Sequence, residues 1–192
     1  PNICKHIHLP VQSGSNRILK EMNRLHSREE YMTLIDKIRA IIPNGSISQD
    51  MIAGFPTETE EDHKDTLSLM EYVKYNFGYM YSYSERPGTL AGRKMEDDVT
   101  DETKARRLQE IVDLQQKHAW SRSEEFSGQT VEVLVEKVSK KSTEEFSGRN
   151  SQSITVVFPK VNYKIGDFVN VKITSCTSGT LKGEATGLSD MN

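Results

Sequence analysis

Three short strand-like runs separated by helical stretches constrain this chain most. Residues 3–10 (ICKHIHLP), 46–53 (SISQDMIA) and 78–84 (GYMYSYS) read as strands, the first stopped by Pro10 and the second by Gly54-Phe55-Pro56. Between the first two, Ile18, Leu19 and Met22 stand at helical spacing. A second helix is opened by the capping box Ser27/Glu30 and carries Tyr31, Leu34, Ile35, Ile38 and Ile42 on one stripe. Between the second and third runs, a helix begins at Thr59 with Glu60, Glu61 and Asp62 in its first turn, where the helix dipole favours negative charge. Leu67, Met70, Val73 and Phe77 mark its expected buried face. Strand, helix, strand, helix, strand is the pattern of parallel strands with crossover helices. Three strands cannot close a barrel, so this part is half of one or a small open sheet, with an edge that needs a partner.

The pattern changes along the chain. Residues 100–122 form a long polar helix with a thin apolar face of Leu108, Ile111, Val112, Gln115 and Ala119. After Gly128, Val131, Val133 and Val135 alternate with polar neighbours, as do Ile154, Val156 and Phe158, then Val169, Val171 and Ile173, with a fourth run at Leu181–Ala185. Short alternating strands with glycine turns fit a small β-barrel. The expected divisions are residues 1–98, a connecting helix over 99–124, and a β module over 125–192.

Composition narrows the function classes. A net charge of −3 over 192 residues gives no global basic field, so any nucleic-acid contact must be local. No run of about 18 apolar residues exists to span a membrane, and no leader opens the chain, which predicts a cytoplasmic protein. Beginning at Pro1 just ahead of a strand, the chain reads as a piece of a longer protein. Cys4 and Cys176 lie far apart and read as reduced thiols, and the five histidines show no metal spacing.

In parallel sheets, functional groups collect where strands end. Here those groups are His8, Gln12, Ser13 and Ser15, then Asp50 and Gly54, then Tyr83, Ser84, Glu85 and Arg86. Their donors and acceptors suit a zwitterionic, ribose-bearing ligand. The same residues also suit plainer roles: Gln12-Ser13-Gly14-Ser15 a helix-entry turn, Gly54-Phe55-Pro56 a simple turn, Arg86 a carbonyl cap or a partner for Glu85. No pair of carboxylates and no Ser–His–Asp order is placed for acid, base or nucleophilic work.

HLPVQSGSNRILKEMNR (residues 8–24), DMIAGFPTETEEDH (50–63) and YSYSERPGT (81–89) occur in an order and spacing that resemble the methylthiotransferase branch of the radical S-adenosylmethionine (SAM) enzymes. The resemblance covers essentially the whole chain. It implies an α/β fold, the C-terminal half of a radical SAM partial (β/α)6 barrel, followed by a small all-β TRAM barrel, OB-like, that binds tRNA. HLPVQSGSNR is similar to the tRNA enzymes that place a methylthio group on carbon 2 of isopentenyl-modified adenosine beside the anticodon. Relatives acting on threonylcarbamoyl-adenosine share QSGS but differ just before it. The implied cofactors are SAM and two 4Fe-4S clusters, none of whose cysteine motifs is in this chain. The missing N-terminal part of the same protein is therefore an implied partner, and the chain alone is expected to be catalytically inactive. A non-catalytic RNA-binding fragment is the alternative.

On the matched positions, Gln12 and Ser13 would reach the methionyl or ribose groups of SAM, beside His8. Asp50 and Gly54 would line the cofactor, and Tyr83 and Arg86 would sit near adenine or substrate. Thr57 departs from the family's frequent GFPGET, so the loop is stiffer there or its backbone angles are ordinary. In the β module, Lys137, Lys140, Lys141, Arg149, Asn150, Lys160 and Lys164, with Phe146 and Phe158 nearby, read as phosphate contacts with local recognition of an RNA stem or loop, or as a solvated surface over core phenylalanines.

Overall fold

A computed structural model describes residues 3–190. The chain divides into two compact units. One holds residues 7–43 and 47–116, and the other holds 44–46 with the described residues of 1–6 and 117–192.

The first unit is built on a three-stranded sheet of order β1-β2-β3, with β1 His6–His8, β2 Ser46–Ala53 and β3 Phe77–Ser82. β2 and β3 run parallel, with Asp50 opposite Tyr79 and Ile52 opposite Tyr81. The first strand is shorter than its sequence suggests. Pro10 has no N–H to give the ladder, and regular pairing stops at His8. The chain then rejoins β2 at Gln12, whose N–H donates to Asp50 O at 2.9 Å and whose carbonyl accepts from Ile52 N–H at 3.0 Å.

Helices α1 (Asn16–Glu21), α2 (Arg28–Ile41), α3 (Glu60–Val73), α4 (Leu90–Lys94) and α5 (Asp101–Glu124) follow the strands. Their starts obey local chemistry. Ser15 caps α1, Ser27 and Glu30 form the expected box at α2, and Thr59 and Asp62 form another at α3. Alternation along β2 turns Ile47, Met51 and Ala53 to the core, where they meet Tyr31 and Ile35 of α2, Leu69, Met70 and Val73 of α3, and Ile111 of α5.

Several expected core positions shift. Leu34 is 42% exposed on α2, Leu67 is only partly buried, and Phe77 belongs to β3 rather than to the helix. The buried side of α5 is also less apolar than expected, because it carries Lys104 and Arg107. The short helix α4 has no counterpart among the expected elements.

The second unit contains a closed barrel of order β4-β5-β6-β8-β7: β4 Thr130–Val138, β5 Glu145–Asn150, β6 Thr155–Pro159, β7 Phe168–Cys176 and β8 Thr180–Leu188. Neighbours pair antiparallel except β6 and β8. The alternating valines and isoleucines fill the interior, with Phe146 and Phe158 at a ring separation of 6.1 Å among them. Four of the five strands are visible as alternation, whereas β5 (EFSGRN) is not.

Candidate active site at the strand ends

A cleft of about 490 Å³ opens beyond the carboxyl ends of the three parallel strands. Gln12 enters from the end of the first strand, Asp50 and Ile52 from β2, Tyr81 and Ser82 from β3, and Tyr83, Ser84 and Arg86 from the segment after it. Glu21, Met22, Asn23 and Arg24, at the end of α1, form another wall with Thr89, Leu90 and Ala91. Asp50, Ile52 and Tyr81 share one face of the sheet, because Asp50 and Ile52 are two residues apart and Ile52 pairs with Tyr81.

The backbone is bent to make this shape. Gln12 has φ +74°, a left-handed value uncommon for a residue other than glycine, and Asn23 has φ +56°, which asparagine adopts more readily. Glu21 and Asp50 supply negative charge and Arg24 and Arg86 positive charge. A cleft with both signs, polar amides and aromatic walls suits a zwitterionic ligand with a planar group. The Tyr83 ring packs edge-on to Phe55 at 5.3 Å. Burial, then the carboxylates of Asp97 and Glu85, push its phenol up from the usual value.

Of the expected cofactor contacts, Gln12, Asp50, Tyr83 and Arg86 line the cleft. His8, Ser13 and Gly54 do not. His8 lies on the same sheet face, with Nδ1 2.8 Å from Ser48 Oγ and Nε2 3.5 Å from Asp50 Oδ1. Ser13 is fully buried, and its hydroxyl accepts the Ser15 N–H at 3.2 Å, so it serves the helix entry rather than a ligand. Gly54 is covered by Lys104, whose Cγ would lie 2.3 Å from an added Cβ, and its N–H donates to Glu58 Oε1 at 3.0 Å. Thr57 has φ +68°, so its backbone angles are not ordinary.

Glu21–Arg24, Ile52, Phe55, Tyr81 and Thr89–Ala91 line the cleft without having been expected there. Strand alternation is a usable signal for Ile52 and Tyr81. The end of α1 offers none, because it depends on the left-handed turn at Asn23.

On the barrel, Lys137 and Arg149 project from the β4–β5 hairpin, Lys140 and Lys141 occupy its turn, and all four are exposed. Lys160 stands beside that turn, with its N–H bonded to Glu144 O at 2.7 Å and its ammonium 5.7 Å from the Phe146 ring centroid. Lys164 is exposed in the next loop. Asn150 corrects the expectation of an RNA contact. It is buried, and its Oδ1 accepts N–H groups from Gln152 at 3.2 Å and Ile154 at 2.9 Å to shape the β5–β6 turn. Phe146 and Phe158 are core residues and offer no face to a base.

Among the described residues, no group of three His, Cys, Asp or Glu side chains is placed to hold a metal ion, and no helix is long and apolar enough to cross a membrane.

Comparison with known proteins agrees with both units. The radical SAM superfamily matches residues 2–70 and the TRAM domain residues 124–186. A Flavobacterium johnsoniae protein named tRNA-2-methylthio-N(6)-dimethylallyladenosine synthase is 91% identical over 192 residues, which is 100% of this chain and 40% of that protein. The Christiangramia forsetii protein of the same name is 69% identical over 191 residues and is covered to the same 40%. The chain thus spans about 40% of the length of the curated relatives it matches. Among solved structures, coproporphyrinogen III oxidase (HemN) from Escherichia coli, a radical SAM enzyme, aligns with a TM-score of 0.51 and 15% identity. That alignment covers 96% of this chain and 46% of HemN, a likeness of fold alone.

Proposed function

We propose that the chain is a piece of a radical SAM methylthiotransferase, and that it supplies one part of a cytoplasmic tRNA methylthiotransferase: the C-terminal half of the SAM-binding barrel and the tRNA-binding TRAM domain. The whole enzyme would add a methylthio group to carbon 2 of isopentenyl-modified adenosine beside the anticodon. The observation that carries this reading is the 91% identity, across all 192 residues, to a protein named for that product. The proposed divisions are residues 1–98 for the half barrel, 99–124 for the connecting helix and 125–192 for the TRAM domain.

The cleft fits SAM by its chemistry. Gln12, Asp50 and Arg86 offer an amide, a carboxylate and a guanidinium to a ligand that carries an amino group, a carboxylate and a ribose, and Tyr83 offers a ring to its adenine. When bound, SAM and the iron–sulfur clusters supply the methyl group and the radical. The residues of this chain bind, orient and exclude water. A 4Fe-4S cluster is held by cysteine thiolates, and the sequence holds two cysteines, at positions 4 and 176. The ligands of both clusters would therefore come from the part of the protein that these residues do not span, and the chain alone would not catalyse the reaction.

On the barrel, Lys137, Lys140, Lys141, Arg149 and Lys160 would contact tRNA phosphates. The exposure of Lys140 and Lys141 in the hairpin turn, with Lys160 beside it, supports this; Arg149 is paired with Glu136 at 3.7 Å and would have to share its charge.

The test uses full-length protein, reconstituted anaerobically and supplied with tRNA from cells lacking the methylthio group. Nucleoside mass spectrometry should detect methylthio-isopentenyl-adenosine, and no product on tRNA that also lacks the isopentenyl group. Product on threonylcarbamoyl-adenosine tRNA instead would assign the chain to that branch. Unchanged SAM affinity in both Gln12→Ala and Arg86→Ala would refute the cleft assignment.

A further inference from the structure

We propose that Lys104, which does not line the cleft, is a positioning residue that fixes three pieces of its wall at once; this rests on reading the cleft as the SAM site. Lys104 lies one turn into α5 and is 5% exposed. A lysine buried to this degree needs partners for its charge. Its Nζ lies 2.6 Å from Asp97 Oδ2 and 3.8 Å from Asp101 Oδ1. The same Nζ stands 5.7 Å from the centroid of the Tyr83 ring, within cation–π range. Its stem lies against Gly54, where an added Cβ would fall 2.3 Å from Cγ and 3.2 Å from Cβ of Lys104.

Each contact reaches a different wall. Gly54 has φ +73° and leads directly into Phe55, which lines the cleft and packs against Tyr83. Tyr83 lines the cleft itself. Asp97 follows α4, whose Leu90 and Ala91 complete another side. An apolar side chain of similar length could pack on Gly54 and on the ring without the cost of burying a charge. It could not also hold Asp97. The stem therefore meets the β2 turn, and the charge at its end joins the segment after β3 to the link between α4 and α5.

The test compares Lys104→Met, which keeps the stem and loses the charge, with Lys104→Arg in the full-length, cluster-loaded protein. Tyrosines are replaced by 3-fluorotyrosine, and the Tyr83 fluorine resonance is assigned with Tyr83→Phe. Lys104→Met should shift that resonance without ligand and weaken SAM binding roughly five- to tenfold, as expected if the wall then holds its binding arrangement only a tenth to a fifth of the time. Lys104→Arg should recover part of both. Gly54→Ala should weaken SAM binding too, and its effect should be smaller in a Lys104→Ala background, where the clashing stem is gone. An unmoved resonance with unchanged affinity in Lys104→Met overturns the proposal, as does full additivity of Gly54→Ala and Lys104→Ala. A shifted resonance with unchanged SAM affinity supports the positioning role and sinks the SAM reading of the cleft instead.

Discussion

Ser15 donates its hydroxyl to Asp62 Oδ1 at 2.5 Å, and so ties the first turn of α1 to the first turn of α3. Asp62 also accepts the Thr59 N–H at 2.8 Å and pairs with Arg17. Burial would push this carboxyl up, but hydrogen bonds from Arg17, Ser15 and Thr59 overcome it and hold the group well below the usual carboxylate range. A lowered folded-state value means that the ionised form stabilises the fold above the unfolded value of about 3.9, and that this contribution is lost as pH falls below it. Asp62→Ala should cost about 2 kcal/mol at pH 7, from two helix starts and a buried hydroxyl. Urea unfolding between pH 7 and 3 should then show a shallower acid loss in the variant than in the parent. Parallel curves would contradict the linkage.

Arg107 and Glu58 form an almost fully buried ion pair at 2.9 Å. Burial raises the Glu58 carboxyl above its ordinary value even though Gly54 N–H and Arg107 oppose it. Such a pair is costly to bury and costlier to break. Arg107→Met should destabilise by about 3–5 kcal/mol because it leaves the Glu58 carboxylate buried without a counter-charge, with only the Gly54 N–H beside it. Adding Glu58→Met should restore part of that stability, since two apolar side chains remove both desolvation costs while the buried Gly54 N–H loses its acceptor. Denaturant midpoints of the two single variants and the double variant decide the point.

These buried charges mark where a sequence stops being legible. Tyr31, Ile35, Met70 and the barrel valines can be read because apolar periodicity reports burial directly. Lys104 and Arg107 cannot, since a charged residue on a polar helix reads as solvated until its partners from other elements are known. β5 is hidden because EFSGRN fills its inward positions with Phe146, Gly148 and Asn150, a mixture without apolar alternation. In the cleft, Gln12, Asp50, Tyr83 and Arg86 are recognisable from their places at strand ends. Ser13 is misplaced by a single residue of phase: with Gln12 at φ +74°, its neighbour turns inward to Thr66 and Ser15.

The hairpin lysines and Asn150 should separate in one experiment. Replacing Lys140 and Lys141 with alanine removes two exposed cations and disturbs nothing buried. tRNA affinity should fall, and the slope of log affinity against log salt should flatten by about 2, roughly 1 for each phosphate that is no longer neutralised. Asn150→Ala should leave that slope intact and instead lower the unfolding midpoint, because two backbone N–H groups in the β5–β6 turn are deprived of their acceptor. Filter binding across roughly 50–300 mM salt, a range over which phosphate-driven affinity changes steeply, and a thermal melt provide the two readouts. An unchanged slope for the lysine variant would remove the β4–β5 turn from the tRNA interface.

Thr57 occupies a left-handed position, φ +68°, where a β-branched side chain is strained and where the GFPGET pattern places glycine. The strain is held in place from three sides. Arg17 donates to Thr57 O at 2.5 Å and to Thr57 Oγ1 at 3.0 Å, while the Thr57 N–H donates to Asp98 Oδ1 at 2.6 Å. Two of these hydrogen bonds use the backbone and survive any substitution that keeps the N–H. Thr57→Gly should relieve roughly 1–2 kcal/mol of left-handed strain. It should return part of that through the missing hydroxyl and the freer unfolded chain, each worth about 0.5–1 kcal/mol. Thr57→Ala removes the same hydroxyl while keeping a Cβ at positive φ, so it isolates the backbone effect. The glycine variant should therefore be more stable than the alanine variant by about 1 kcal/mol, with the parent between them or level with glycine. Equal stability of the two variants by urea titration would mean that neighbouring groups, rather than the side chain's conformational preference, govern the loop between β2 and α3.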